Sequence, residues 1–314
     1  MKKTAFLFPG QGAQYPGMGL DIIEVSPQAM NVFKTASDVL ERDIIKLIRD
    51  SDAQTLKRTD VSQITINAAS LAAAAFLRER GIVPEACAGF SLGEYPALAQ
   101  AGVISIEDCF RLTNERGIAM QAAADCIKTG SGEAPGMAAV MGLQAEKTQE
   151  LIAEWKISDL YAANINSSKQ TVVSGSAAAL AEAEIRFKEA GAKRVIRLQV
   201  AGPFHSPLMK KAADAFSPAL EKITFNDPQT ALFSNVTGRK VLCGEEAKKL
   251  ALLHITSPVR WTEEQASIAQ SGIEVCLETG PGAVLQGLWK DTGSSIPIFA
   301  AGRAEDILKT GENA

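Results

Sequence analysis

The chain has few of the residues on which metal sites and acid–base chemistry most often depend. Its 314 residues include only two histidines and five cysteines. The cysteines are odd in number and scattered, and none forms a C-x-x-C pair, which argues against a disulfide framework and against zinc-ligand spacing. We therefore expect no metal site, and any catalysis by imidazole must use His205 or His254.

Long apolar runs are also missing. The longest nearly apolar run, "AASLAAAAFL" at 68–77, is shorter than the roughly 20 residues that a membrane-spanning helix needs. The first residues, "MKKTAFLFPG", have only a brief apolar run before Pro9, so we interpret them as a strand and not as a signal peptide. Together with the unpaired cysteine pattern, this predicts a cytoplasmic protein without a membrane partner.

An excess of positive charge is absent too. The chain has 32 Lys and Arg against 36 Asp and Glu, a net charge of −4, which argues against a nucleic-acid partner. Hydrophobic residues make up 46% and charged residues 22%, the balance of a globular protein with a sizeable core. The length fits one large domain or two.

What is present is an alternation of strand and helix patterns, which predicts an α/β fold. The pattern changes after the glycine-rich stretch at 127–136, which we interpret as a linker. Between 137 and 200 the predicted order is β-α-β-β-α-β, which is typical of a ferredoxin-like unit. We therefore predict a large α/β catalytic domain formed by residues 1–130 and 201–314, and a ferredoxin-like domain at 131–200 inserted into it.

The stretch "GFSLGE" at 89–94 carries the first candidate for chemistry. Ser91 lies between Gly89 and Gly93 in a G-x-S-x-G pattern, which alone is also found in ordinary glycine-rich turns. Here a short strand precedes it and a helix follows, the context that a nucleophile elbow requires. Such a turn places the serine at a helix N-terminus, where the N–H of Leu92 would face an oxyanion.

A serine hydroxyl needs a base, and only two imidazoles are available. His205 lies in "GPFHSP", a proline-flanked loop after a predicted strand, and is the favoured base. His254 lies in the apolar stretch "LALLHI", where a histidine is more often a core residue. From the residues alone, both assignments stay open.

Arg116 is the charge that bears on the substrate. Leu112 and Met120 lie one turn to either side of it, so all three share one face of a helix. An arginine on an apolar face can simply extend to water. If it is buried, it needs an anionic partner, and a substrate carboxylate would serve.

The loop "FPGQGAQ" at 8–14 begins like a dinucleotide-binding fingerprint, but the sixth position of G-x-G-x-x-G is Tyr15. We therefore interpret it as a loop whose main-chain N–H groups face the site.

At this point the chain resembles malonyl-CoA:acyl carrier protein transacylases and the related acyltransferase domains of polyketide and fatty acid synthases. The resemblance covers nearly the whole chain, and the motifs appear in family order. They are "FPGQGAQ", "GFSLGEY", "RG" with "MQ" at 116–121, "GPFHSPLM", "FSNVTG", "SPVRW" and "ETGPGAVLQGL".

The resemblance implies an α/β-hydrolase-like core with a ferredoxin-like insert, and it implies roles for individual residues. Ser91 is then the acylated nucleophile and His205 its base. The oxyanion donors are the main-chain N–H groups of Gln11 and Leu92. The remaining residues are assigned to substrate binding: Arg116 for the malonyl carboxylate, and Gln63, Phe90, Phe204 and His254 in or beside the pocket.

Two positions depart from the family pattern. Phe90 stands where the family usually has histidine, which affects the expected acyl selectivity. His254 stands where glutamine or asparagine is common. The resemblance implies that the main-chain carbonyl there accepts the other N–H of the base. Any residue can provide such a carbonyl.

The predicted activity is malonyl transfer from malonyl-CoA to the phosphopantetheine thiol of an acyl carrier protein, for fatty acid synthesis, by a monomer without metal or redox cofactor. The alternatives are a trans-acting enzyme that loads a polyketide synthase carrier, an acyl-thioester hydrolase, and a binding scaffold without activity. The scaffold predicts loss of Ser91, His205 or Arg116, and all three are present.

Overall fold

The computed structural model describes residues 2–128 and 134–310, and the strands in this part of the chain form two sheets. The strands are β1 (Thr4–Phe8), β2 (Ala86–Gly89), β3 (Gly136–Met141), β4 (Leu160–Ser167), β5 (Gln170–Gly175), β6 (Arg194–Arg197), β7 (Ala231–Ser234), β8 (Arg239–Lys240), β9 (Val275–Glu278) and β10 (Ile298–Ala300).

Helices separate and follow these strands. They are α1 (Leu20–Val25), α2 (Pro27–Leu40), α3 (Ile44–Asp50), α4 (Ala53–Lys57), α5 (Thr59–Glu79), α6 (Glu94–Gln100), α7 (Ile106–Lys128), α8 (Ala145–Trp155), α9 (Ala177–Glu189), α10 (Lys210–Glu221), α11 (Gly244–Leu253), α12 (Trp261–Gln270), α13 (Val284–Lys290) and α14 (Ala304–Thr310). Short 3-10 turns at Ser91–Gly93 and Pro207–Met209 lead into α6 and α10.

The larger sheet has six strands in the order β10-β9-β1-β2-β7-β8. All neighbours pair in parallel except β7 and β8, which pair antiparallel. Every residue of β1, β2 and β9 is buried. This explains why these strands have no polar face, since the central strands of a parallel sheet are covered on both sides. The predicted mixed α/β class is therefore confirmed.

Strand direction determines where the site lies. Because β1, β2, β7 and β9 run parallel, their carboxyl ends meet at one edge of the sheet, where open α/β sheets bind ligands. The loop after β1, the turn at Ser91, the residue after β7 and the loop after β9 are thereby brought together.

Helix α5 supports this edge from the core. It is long and apolar enough to be a candidate membrane span, but 89% of its most apolar window is buried inside the protein. It packs against α2 and α7. A helix buried to this extent is typical of the core of a folded protein, so we interpret α5 as a core helix.

The smaller sheet has four antiparallel strands in the order β4-β5-β3-β6. Helices α8 and α9 pack on it around a core that includes Val140, Leu180 and Phe187. The element order β-α-β-β-α-β predicted for this segment is confirmed. The predicted linker at 127–136 and domain boundary after 130 fall partly on residues 129–133, which lie outside the described residues.

Candidate active site

Ser91 lies in a tight turn between β2 and α6. Its φ of +52° is in the left-handed region that non-glycine residues seldom adopt. The flanking glycines are required by close approach. A Cβ on Gly89 would lie 1.9 Å from the carbonyl carbon of Gly93, and a Cβ on Gly93 would lie 2.0 Å from the carbonyl oxygen of Phe8. The sequence pattern therefore reflects a turn that only glycine can close at both positions.

His205 lies across from Ser91 on the loop that precedes α10. Its Nε2 is 2.7 Å from the Ser91 Oγ. Its Nδ1 is 3.0 Å from the main-chain oxygen of His254. Because a carbonyl only accepts, Nδ1 carries the hydrogen in this arrangement, and Nε2 is left to accept the serine proton. The His205 ring thus contacts the serine hydroxyl through Nε2 and the main-chain carbonyl of His254 through Nδ1.

The protonation state of His205 suits this arrangement. Burial, together with the positive charge of Arg116, lowers the pKa of His205 to about 4. The imidazole is therefore neutral at neutral pH and can accept a proton from Ser91.

The loop after β1 lies directly against the serine turn. A Cβ on Gly10 would be 2.4 Å from the carbonyl oxygen of Phe90, so glycine is needed for this approach. Gln11 and Leu92, the two residues predicted to supply oxyanion donors, both line the cavity in front of Ser91. The two residues therefore lie at the same cavity, Gln11 on the loop after β1 and Leu92 within the serine turn.

Arg116 lines the same cavity, although its side chain is almost completely buried, with 1% of the residue exposed. Its Nε and Nη2 have no hydrogen-bond partner among the described residues. The guanidinium carbon lies 5.4 Å from the ring centroid of Tyr95, and burial lowers the pKa of the guanidinium. A buried cation with unused donors beside a cavity is suited to bind an anionic group.

Gln63 and His254 lie one layer behind the cavity. Gln63 is fully buried on α5 and donates from Nε2 to the Sδ of Met120 at 3.4 Å, and Met120 lines the cavity. The ring of His254 is fully buried, and its Nδ1 is 3.4 Å from Glu94 Oε2. Burial raises the pKa of Glu94 to about 7 and lowers that of His254, so burial disfavours the charged form of both groups.

Phe90 and Phe204 both line the cavity, whose volume is 130 Å³. The ring of Phe90 meets that of Trp261 edge to face, with 5.4 Å between centroids and 85° between planes. This chain therefore has an aromatic pair directly before the predicted nucleophile.

Seven further lining residues were missed by sequence reasoning. They are Met120, Met137, Asn164, Asn166, Val172, Leu198 and Val200. Most come from the four-stranded sheet and its flanks, which the sequence pattern did not connect to the site. The two asparagines carried a usable signal, since polar residues two apart in an apolar strand point to the same face.

Residues 5–309 match the acyl transferase domain family. The chain therefore belongs to the acyl transferase family, and its class of activity is that of an acyltransferase. The resemblance predicted from the motifs is confirmed.

Within this family, the chain is similar to malonyl CoA-acyl carrier protein transacylases. The malonyl CoA-acyl carrier protein transacylase of Bacillus subtilis strain 168 is 37% identical over 311 residues, which cover 98% of this chain and 96% of the relative. The protein of that name from Haemophilus influenzae is 39% identical over 293 residues, 92% of each chain.

Two solved structures have closely similar backbones. The structure of MCAT from Streptococcus pneumoniae has a TM-score of 0.93 at 33% identity, and the match covers 99% of this chain and 100% of that one. A malonyl-transacylase in complex with its type II PKS acyl-carrier protein has a TM-score of 0.92 at 34% identity, with the same coverage.

Proposed function

We propose that the chain transfers a malonyl group from malonyl-CoA to the phosphopantetheine thiol of an acyl carrier protein, through a malonyl ester on Ser91. The observation that carries the proposal is the position of Arg116. Its buried donors lie at the same small cavity as the pair formed by Ser91 and His205. A malonyl thioester has a carboxylate at one end and a reactive carbonyl at the other, so it fits both features.

In the first half-reaction, Ser91 Oγ attacks the thioester carbonyl while His205 Nε2 takes its proton. The N–H groups of Gln11 and Leu92 stabilise the oxyanion that forms on the carbonyl oxygen. The C–S bond then breaks, and the departing sulfur of coenzyme A takes the proton from His205. In the second half-reaction, the carrier thiol gives its proton to His205 and attacks the ester. Ser91 regains the proton as the ester C–O bond breaks.

Arg116 distinguishes this activity from acyl-thioester hydrolysis, which uses the same serine and histidine. A general hydrolase has no need for a buried cation at the acyl cavity, whereas a malonyl group needs one to compensate for its carboxylate. Loading of a polyketide synthase carrier is the second candidate. It is favoured by one observation, the close similarity to a malonyl-transacylase bound to a type II PKS carrier.

We propose an α/β-hydrolase-like core with a ferredoxin-like domain, residues 131–200, inserted into it. The strand order β4-β5-β3-β6 and the helices α8 and α9 packed on that sheet support the insert. The serine turn at the carboxyl end of a parallel strand supports the core assignment. The insert contributes part of the cavity wall, so it belongs to the catalytic unit.

We also propose that the enzyme works in the cytoplasm as a monomer, without a metal or redox cofactor. Buried free thiols at Cys87, Cys109 and Cys276 support a reducing compartment. The predicted serine, base, oxyanion donors and arginine all come from one chain, which supports a monomer.

The test is to incubate purified protein with malonyl-CoA and to measure the intact mass. A malonyl adduct on the Ser91 peptide is expected, with discharge to an acyl carrier protein. Ser91→Ala should form no adduct, whereas Ser176→Ala, which removes a helix-capping hydroxyl on α9, should form it normally. An adduct that persists in Ser91→Ala, or one discharged only to water, would overturn the proposal. Carriers from fatty acid and polyketide systems, compared side by side, separate the two candidates.

A further inference from the structure

Asn235 is a fully buried residue that the mechanism above does not use. It follows β7 at the edge where the parallel strands end. Its side chain contacts the serine turn at Ser91 itself and at Gly89, two residues before it. The Oδ1 accepts a hydrogen bond from the Ser91 N–H at 2.7 Å, and the Nδ2 donates to the Gly89 carbonyl at 2.6 Å.

The chemistry of these partners determines which way the amide faces. Ser91 N–H only donates, so it needs the oxygen of the amide, and the Gly89 carbonyl only accepts, so it needs the nitrogen. A second hydrogen of Nδ2 goes to Glu264 Oε2, also at 2.6 Å. If the amide were flipped, its nitrogen would face the Ser91 N–H, donor against donor. Its oxygen would face the Gly89 carbonyl and Glu264, acceptor against acceptor. The orientation is therefore unambiguous.

The backbone of Asn235 is held as well. Its N–H donates to Glu94 Oε2 at 3.3 Å, and its carbonyl accepts from the Arg260 N–H at 2.8 Å. Glu94 is the first residue of α6, directly after the serine turn. Asn235 is thus tied to the strand before Ser91, to Ser91 itself and to the helix after it.

We propose that Asn235 is a positioning residue that holds Ser91 in its left-handed conformation and so keeps Oγ directed at His205. This inference rests on the proposed function, in which Ser91 is the nucleophile. The conformation is unfavourable for serine, so the surrounding structure must maintain it. The bond to the Ser91 N–H also commits that amide, which leaves the oxyanion to the N–H groups of other residues.

The first test is Asn235→Ala, which leaves Ser91 N–H and the Gly89 carbonyl without these partners. The rate of single-turnover acylation by malonyl-CoA should fall about 10- to 100-fold, because small misplacements of a reacting group have effects of this size. The KM for malonyl-CoA should change little, since Asn235 does not line the cavity. Labelling of Ser91 by a fluorophosphonate should slow in parallel, because it needs the same activated hydroxyl.

The control for general destabilisation is Leu180→Ala, which creates a cavity in the core of the smaller sheet. It should lower the melting temperature without slowing the labelling of Ser91. If Asn235 served only general stability, Asn235→Ala would behave like Leu180→Ala, with a lower melting temperature and unchanged labelling of Ser91.

A second variant reverses part of the hydrogen bonding and keeps the shape. Asn235→Asp retains an acceptor for the Ser91 N–H but places an oxygen opposite the Gly89 carbonyl and Glu264, so acylation should fall. Glu264→Gln alone should stay near wild type. Added to Asn235→Asp, it can turn its amide nitrogen to the new oxygen and should restore part of the rate. Such non-additivity is expected for side chains in contact or in one hydrogen-bond network.

The inference is overturned if Asn235→Ala labels and acylates within about twofold of wild type, or if only the KM changes. It is also overturned if Asn235→Ala and Asn235→Asp both fail to fold while Leu180→Ala folds, because the residue is then needed for folding. If wild type forms no malonyl adduct, the proposed function fails instead, and the fluorophosphonate rates still test whether Asn235 positions Ser91.

Discussion

Ser91 and Arg116 line the same cavity, but the protein surrounds their polar atoms differently. Around Ser91 the groups are paired within the chain: the hydroxyl with His205, the N–H with Asn235, and the second nitrogen of His205 with the His254 carbonyl. At Arg116, Nε and Nη2 have no partner among residues 2–128 and 134–310. Two unused buried donors at this cavity therefore belong to the cation, and Asn166 Oδ1 is an unused buried acceptor there.

The difference follows from what each side must do. Groups that transfer protons work best when their geometry is established before the substrate arrives, because no reorganisation is then needed during the reaction. A buried cation without a partner costs stability, and an arriving carboxylate recovers that cost as binding energy. In the proposed function, the paired groups around Ser91 serve proton transfer and the unpaired donors of Arg116 select the acyl group.

The largest effect should come from breaking the paired side at its base. His205→Ala removes the proton acceptor, and malonyl transfer should fall about 10²–10⁴-fold. His254→Gln keeps the carbonyl and should stay within about tenfold of wild type, or roughly 1.4 kcal/mol. Steady-state transfer to carrier protein measures both. Equal losses would mean that the His254 ring takes part in proton transfer and that the base is not one histidine alone.

Removing the unpaired cation should have a smaller effect that depends on the acyl group. Arg116→Ala should slow malonyl transfer by roughly 30-fold to several thousand-fold, since it removes a charge-assisted pair in a desolvated site. Acetyl transfer should be kept or increased. The matched control is Arg111→Ala on the same helix, where the arginine is exposed and pairs with Asp108. A similar loss for both acyl groups in Arg116→Ala would indicate a structural arginine.

Glu94 lies behind the paired side and should make stability depend on pH. Its folded-state pKa of about 7 lies above its ordinary value of 4.5, so the folded protein holds this proton more tightly than the unfolded chain does. The contribution of Glu94 to the stability of wild type should therefore fall as pH rises from 4.5 to 7. Glu94→Gln does not ionise, so its stability relative to wild type should rise by up to about 3 kcal/mol over this range.

Urea unfolding of wild type and Glu94→Gln at about pH 4 and about pH 8 measures this difference. Glu245→Gln, which changes an exposed glutamate on α11, is the control and should show little pH-dependent difference. A Glu94→Gln difference that is constant with pH would mean that Glu94 is already ionised in the folded protein and belongs to a charged pair with His254.

The smallest effect should come from Phe90, whose ring packs beside the paired side and cannot hydrogen-bond to it. Phe90→Leu keeps an apolar side chain but loses the edge-to-face contact with Trp261, so unfolding free energy should fall by about 0.5–1.5 kcal/mol. Calorimetry measures this change, and acyl-CoA competition measures selectivity. A fall in malonyl transfer larger than the unfolded fraction of Phe90→Leu accounts for would show that the ring positions the acyl group.

Much of the paired side could be predicted locally. The sequence "GFSLGE" predicts strand, turn and helix, and its two glycines report the close approaches that the structure contains. The helical spacing of Leu112, Arg116 and Met120 predicts one shared face, and all three are buried. The choice between His205 and His254 was open from the residues alone, because neighbouring sequence does not record which ring reaches a serine 114 residues away.

By itself, then, the sequence determined the α/β class, the turn at Ser91 and the family, since these depend on local spacing and on motifs in order. Only the tertiary structure decided that Gln63 lies behind Met120 and that the Asn235 side chain contacts both Ser91 and Gly89. The physical reason is strand order. Parallel pairing of β2 with β1 and β7 brings together the carboxyl ends of strands that are far apart in the chain, and no local pattern encodes which side chains then meet.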